Sequence, residues 1–212
     1  MKEYNKIETI FERDMQGSKK LIEGKFRNPV VEFLKDSKWQ FTEKIDGTNI
    51  RVHWDGHRVM FGGRTDLAQI PTNLMYALND KFMGITNEQL FEQKFGATPV
   101  TLYGEGYGEK IQKGGGNYLD GVGFILFDVL IGDVWLERNN IEDIAKAFNV
   151  PVVPIVLEGT IQEGVDYVKN KPKSTIAKVQ HEMEGLVGRP VVEIKDRIGN
   201  RVIVKLKVVD FN

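Results

Sequence analysis

Glu43-Lys44-Ile45-Asp46-Gly47-Thr48-Asn49 is the stretch on which the reading of this chain turns. On one side of it, Trp39 to Ile45 has the aromatic and β-branched content of a strand. On the other, Thr48 to Trp54 reads as a second strand, and Asp46-Gly47 is a tight-turn dipeptide between the two. A lysine at a strand end, beside a glycine turn, can present its amine at the floor of a cleft. To act as a nucleophile it must lose its proton, which neighbouring cations or desolvation favour. Alone, Lys-x-Asp-Gly is short enough to arise by chance.

Other segments supply what such a lysine would use. In Val204-Lys205-Leu206-Lys207-Val208, strand alternation puts Lys205 and Lys207 on one face and the apolar residues on the other. Two like charges on one face repel unless solvent covers them or an anion lies between them, and a triphosphate is such an anion. A solvated edge strand explains the segment equally well when it is read alone. Met183-Glu184-Gly185-Leu186-Val187 and Leu102-Tyr103-Gly104-Glu105-Gly106-Tyr107-Gly108 each set an acid beside glycine at a strand end. Hard carboxylate oxygens suit Mg²⁺ or ribose hydroxyls, although an exposed loop acid is the plainer reading of either one by itself.

Around these segments the chain alternates in type without a regular βαβ repeat. Asn28-Pro29 marks a helix start, and Arg58 to Gly62 reads as a third strand. Helical spacing covers 72–82 and 86–95, the latter opening on a capping-box pattern, Thr86 with Gln89. Strands are expected at 99–105, 123–130 and 134–135, and helices at 141–148, 161–169 and 175–183. Closing strands are expected at 185–187, 191–195 and 201–208. The fold class that follows is α+β, with mainly antiparallel sheets. Gly104-x-Gly106-x-Gly108 and Gly114-Gly115-Gly116 fit neither a P-loop nor a dinucleotide-binding spacing, and Ile111 to Tyr118 reads as a mobile surface loop. His53, His57 and His181 have no metal-ligand spacing.

In order along the chain, Lys44-x-Asp46-Gly47, Arg64, Glu105, Phe124, Glu184 and Lys205-x-Lys207 resemble the motifs of the covalent nucleotidyltransferases, the polynucleotide ligases and mRNA capping enzymes. Glu43 before the lysine, Thr48-Asn49 after the turn and Gly63-Arg64-Thr65 most resemble the RNA ligase 2 and RNA-editing ligase branch. The likeness runs from about Phe41 to Val208. It implies an ATP-grasp-like nucleotidyltransferase domain, its antiparallel sheets flanked by helices, that uses ATP with Mg²⁺ or Mn²⁺. Lys44 would attack the α-phosphate of ATP, expel pyrophosphate and become a lysyl-AMP. Lys205 and Lys207 would hold that phosphate and favour a neutral Lys44. Glu184 would bind the metal, and Glu105 would contact the ribose. Phe124, with Phe127 as its rival on the opposite strand face, would stack on adenine. Arg64 and Asn49 would steer the phosphates, and Glu43 would belong to the same nucleotide site.

Composition limits the alternatives. Net charge is −1, from 29 Lys and Arg against 30 Asp and Glu, which excludes a uniformly basic nucleic-acid coat. The basic groups Lys19, Lys20, Lys25, Arg27 and Lys169, Lys171, Lys173, Lys178 read as solvated faces. There is no cysteine, hence neither thiol catalysis nor a disulfide, and no apolar run long enough to span a bilayer. A cytoplasmic monomer is expected, acting on RNA ends in nicked or single-stranded form, with DNA as a possible substrate and no membrane partner. Only five residues follow Lys207, so a single domain over 1–212 is expected, without an OB-fold or C-terminal helical domain. The competing readings are a minimal DNA ligase and a catalytically silent module that binds RNA ends.

Overall fold

The computed structural model describes residues 1–211. In chain order its strands are β1 (Glu8–Thr9), β2 (Phe11–Arg13), β3 (Leu21–Phe26), β4 (Trp39–Lys44), β5 (Thr48–Trp54) and β6 (Val59–Gly62). They continue with β7 (Val100–Gly108), β8 (Val122–Ile131), β9 (Val134–Trp135), β10 (Ile155–Gly159), β11 (Gly185–Pro190) and β12 (Val204–Lys207). The helices are α1 (Pro29–Phe33), α2 (Thr72–Phe82), α3 (Ile85–Phe95), α4 (Arg138–Ala147) and α5 (Ile161–Lys169). The expected α+β class with mainly antiparallel sheets is what these elements form.

The chain divides into two compact units. One comprises Asn5–Ile45, Pro154–Ile176 and Gln180–Asn212, and is called the lysine unit below. Its main sheet has the order β1-β12-β11-β4-β10; every pair is antiparallel except β1 with β12. Phe41, fully buried in β4, occupies a slot that needs glycine on both sides. A Cβ at Gly164 of α5 would come within 2.6 Å of its ring, and one at Gly188 of β11 within 2.5 Å. Ile161, Val165 and Val168 put one face of α5 against Leu186, Val204 and Leu206. Thr160 and Glu163 close that helix's N-terminus with a full capping box.

The other, the aromatic unit, comprises Met1–Tyr4, Asp46–Val153 and Ala177–Val179. Its sheet runs β6-β5-β7-β8-β9, antiparallel throughout. Leu74, Leu78 and Phe82 of α2 and Ile141, Ile144 and Ala145 of α4 lie on single helix faces. They meet Ile50, Val52, Trp54, Leu102 and Leu126 of the sheet in one core. The rings of Phe82, Phe91 and Phe148 thicken that core, with Phe91 and Phe148 centred 4.3 Å apart.

Several sequence expectations change. The strands flanking Asp46-Gly47 are not a hairpin pair: both edges of β4 are taken by β11 and β10, and both edges of β5 by β6 and β7. The turn therefore hands the chain from one sheet to another. Helix α3 starts one residue earlier than its Thr86-Gln89 pattern implied, from Gly84, with no side-chain cap. Residues 175–183 are not helical, because their backbone amides are engaged sideways. The Thr175 amide donates to Glu43, and those of Lys178 and Val179 donate to the carbonyls of Tyr118 and Asn117, leaving no i to i−4 ladder. Residues 191–195 form no strand; they contribute the isolated Lys195–Arg201 bridge and a Val202-to-Ile194 hydrogen bond.

Candidate active site

In the lysine unit, strand register brings together three of the residues expected at the nucleotide site. Gly185 of β11 lies opposite Lys44, the last residue of β4, on one side and opposite Lys207 of β12 on the other. Glu184, immediately before Gly185, is held by its carbonyl, which accepts from the Val208 amide. Its carboxylate lies between the two lysines: Oε2 accepts from Lys44 Nζ at 2.5 Å, and Oε1 pairs with Lys207 Nζ at 2.6 Å. All three side chains are mostly shielded, so each charge leans on the others rather than on water.

That geometry needs glycine at 185. A Cβ there would sit 2.0 Å from the Leu206 carbonyl oxygen and 2.8 Å from Lys207 Cα, both backbone atoms. Gly185→Ala is therefore expected to force β11 and β12 apart, at an overpacking cost on the order of 1–3 kcal/mol. A lowered thermal midpoint together with weaker nucleotide capture checks this. An unchanged midpoint would show that the strands separate freely.

Alternation in β12 is as the sequence indicates: Val204 and Leu206 are buried, and Lys205 and Lys207 share the other face. Lys205 is not a freely solvated lysine. Burial, then the charges of Lys207, Lys44 and Lys6, push its pKa below the ordinary lysine value, and Asp210 opposes the shift.

Glu43, expected at the nucleotide site, is engaged within the protein. It is fully buried, and its carboxylate accepts from the Ser174 hydroxyl at 2.5 Å, the Thr175 amide at 2.8 Å and the Thr175 hydroxyl at 2.6 Å. Those bonds satisfy the buried charge and fasten the 174–175 segment to the strand that carries Lys44.

The other expected residues, Asn49, Arg64, Glu105 and Phe124, belong to the aromatic unit. Asn49 and Glu105 are direct cross-strand partners on β5 and β7. Asn49 Oδ1 is buried and accepts no hydrogen bond from the protein, a state that costs about 1–3 kcal/mol until a donor meets it. Arg64 is exposed. Phe124 is buried, edge-on to Phe82 at 5.4 Å, over Gly104, where a Cβ would come within 2.3 Å of its ring. Phe127 faces the other way and meets the Tyr4 ring at 5.1 Å. The Gly104, Gly106 and Gly108 series is thus explained by close packing, with Phe124, Leu74 and the Gly121 carbonyl respectively.

Two residues of the segment expected to be a mobile loop hold the Asp46-Gly47 turn instead. The Tyr118 hydroxyl accepts from the Asp46 amide at 3.3 Å, and Gln112 Nε2 donates to the Gly47 carbonyl at 2.9 Å. Gly47 is required there because a Cβ would lie 2.3 Å from the Gly106 carbonyl. Among the described residues, no group of three or more histidines or acids could hold a metal by itself, and no helix is long and apolar enough to cross a membrane.

Comparison with solved structures defines the class of this domain, an RNA ligase nucleotidyltransferase fold. A Naegleria gruberi RNA ligase variant with ATP and Mn is 21% identical over 96% of this chain and 55% of its own, with a TM-score of 0.64. The same ligase with PPi is 22% identical over 96% of this chain and 61% of its own, with a TM-score of 0.61. A further variant with ATP and Mn is 23% identical over 84% and 51%, again with a TM-score of 0.61. This chain thus spans a little over half the length of those proteins. The RNA ligase family model matches residues 37–207, and the chain belongs to that family. No curated protein sequence matches.

Proposed function

We propose that this chain is an ATP-dependent RNA ligase that takes AMP onto Lys44, passes it to a 5′-phosphate of RNA and joins that end to a 3′-hydroxyl. The observation that carries the reading is the Glu184 carboxylate held between Lys44 and Lys207, with Lys205 on the same strand face as Lys207. Family membership supports it, as do the ATP, Mn and PPi named for the Naegleria gruberi structures.

Lys44 must give up both its bond to Glu184 and a proton before its nitrogen can form a bond to the α-phosphorus. The P–O bond to the β-phosphate then breaks, and pyrophosphate leaves with the electron pair. Lys205 and Lys207 would hold the α-phosphate and offset the charge that builds on it. Glu184 is a hard oxygen donor suited to Mg²⁺ or Mn²⁺, and a single carboxylate is enough for an ion that takes its other ligands from phosphates and water. Such an ion would supply charge neutralisation of the polyphosphate. In the aromatic unit, Arg64 and Asn49 are assigned to phosphate, Glu105 to ribose and Phe124 to adenine. The buried, unsatisfied Asn49 oxygen calls for a donor such as a hydroxyl or a cation, and only the Nδ2 of that side chain can donate to phosphate.

Incubation with labelled ATP and Mg²⁺ or Mn²⁺, followed by a denaturing gel, tests the first step. No covalent label beside an active control ligase sinks the proposal. Matched nicked RNA, nicked DNA and single-stranded substrates test the second: sealing of nicked DNA as fast as RNA would make this a DNA ligase. Label without any sealing would limit the activity to nucleotide capture.

A further inference from the structure

We propose that Arg51 is a positioning residue for Arg64: a buried guanidinium that grips the backbone on both sides of it. The inference rests on the phosphate role assigned to Arg64 above. Arg51 lies in the middle of β5, on the face opposite Ile50, Val52 and Trp54, and is fully buried. Across the strand pair it faces Gly62, where a Cβ would come within 2.9 Å of its Nη2, so the fork passes over a residue that must lack a side chain.

Its donors then reach past Gly62 to the next loop. Nε donates to the Gly63 carbonyl at 2.7 Å, and Nη2 donates to Asp66 Oδ1 at 2.8 Å. Nη1 donates to the Met1 carbonyl at 3.2 Å. Gly63 precedes Arg64 directly, and Asp66 follows it by two residues, so the fork holds both ends of Gly63-Arg64-Thr65-Asp66. The Asp66 amide donates to Glu3 at 3.2 Å, and the Ala68 amide to the Thr65 carbonyl at 3.2 Å, which closes the loop beyond.

Stability does not explain this arrangement. The side chain of Asp66 is 72% exposed and that of Arg51 is 0% exposed, so the ion pair joins a desolvated cation to a solvated acid. Packed apolar side chains in place of both partners of a buried pair are often as stable or better. What an arginine adds is a planar fork that fixes two acceptors at set directions. Arg64 itself is exposed, so the direction of its guanidinium starts from the backbone that Arg51 holds. A shift of about 1 Å in such a group can cost on the order of a hundredfold in rate.

The test uses the full chain with Arg51→Met, Asp66→Ala, Arg64→Ala and the Arg51→Met/Arg64→Ala double variant. The readouts are the ATP dependence of self-adenylylation, thermal midpoints, and hydrogen exchange of the 63–66 amides. Arg51→Met is expected to raise the KM for ATP about tenfold with a smaller change in kcat, and to speed exchange at 63–66. Asp66→Ala, which removes the exposed acceptor, is expected to move KM in the same direction at an unchanged thermal midpoint. The double variant is expected to be no worse than Arg64→Ala alone, because both changes remove one function.

Multiplying losses in the double variant, or an unmoved KM in Arg51→Met, overturns the proposal. Should Arg51→Met fail to fold, Asp66→Ala decides, and an unmoved KM there overturns it. A wild-type chain that takes no label defeats the ligase reading instead. The exchange data then decide, and 63–66 amides as protected in Arg51→Met as in wild type refute the positioning role.

Discussion

Lys44→Ala and Lys44→Arg are expected to fold and to take no AMP from ATP, a loss of about a thousandfold or more. The two variants fail for different reasons, and this makes the pair informative. Alanine removes the nucleophile and one of the two cations on Glu184, but Lys207 remains 2.6 Å from that carboxylate, so the acid is not stranded. Because that second cation stays in place, the fold is expected to survive the change. Arginine keeps the positive charge and can still donate to Glu184, but its guanidinium does not deprotonate and offers no nitrogen lone pair. Both therefore lose the label at near-native thermal midpoints, and Lys44→Arg retains more of the affinity for ATP. Label persisting in either would mean that another lysine is the nucleophile, with Lys205 the first to examine.

The sequence shows the part of this site that lies along strands and hides the part that lies across them. The alternation of Val204, Lys205, Leu206 and Lys207 is a local property, and β12 has it as read. So is the spacing of Leu74, Leu78 and Phe82, which makes α2 legible to its last residue. Glu184 is different. Nothing in Met183-Glu184-Gly185 says that it reaches a lysine 140 residues away; an acid beside glycine marks it only weakly, and its role came from the resemblance. Glu43 has partners 131 and 132 residues away, and Tyr118 reaches the turn from 72 residues on.

The helix expected at 175–183 fails for the same reason. Its local pattern is helical, but a buried Glu43 takes the Thr175 amide, and loop carbonyls take those of Lys178 and Val179. The Asp46-Gly47 turn was legible as a turn but not as a crossover, since which strands flank β4 and β5 is decided by segments far off in sequence. Arg51 carried no local signal at all. An arginine inside an apolar strand reads as an outward-facing residue until the Gly62 beside it and the Gly63 and Asp66 beyond are seen to receive it.

Lys205 is expected to set how the grip on ATP depends on alkaline pH, an effect separable from the proton that Lys44 must lose. Burial and the cations Lys207, Lys44 and Lys6 hold its pKa below the ordinary lysine value. A base so lowered is charged below its shifted pKa and neutral above it, so Lys205 gives up its cation at a lower pH than a free lysine would. In wild type, the KM for ATP in self-adenylylation should therefore rise on the alkaline side, whereas release of the Lys44 proton acts on kcat. Lys205→Arg keeps its charge throughout and should remove the alkaline rise. Lys205→Met should begin with a KM about tenfold higher, roughly 1.4 kcal/mol of phosphate affinity, and stay flat. An alkaline rise that persists unchanged in Lys205→Arg would falsify the assignment. Stability should move the opposite way. Between the lowered folded value and the ordinary unfolded one, the unfolded chain binds more protons, so the fold gains stability as pH rises through that window. Below the window the folded protein bears the whole cost of keeping Lys205 charged. Lys205→Met should accordingly raise the thermal midpoint at neutral pH while weakening ATP capture. A variant that lost both stability and affinity would show Lys205 to be a packing residue, whereas a more stable, weaker-binding variant is what a cation held in place for an anion predicts.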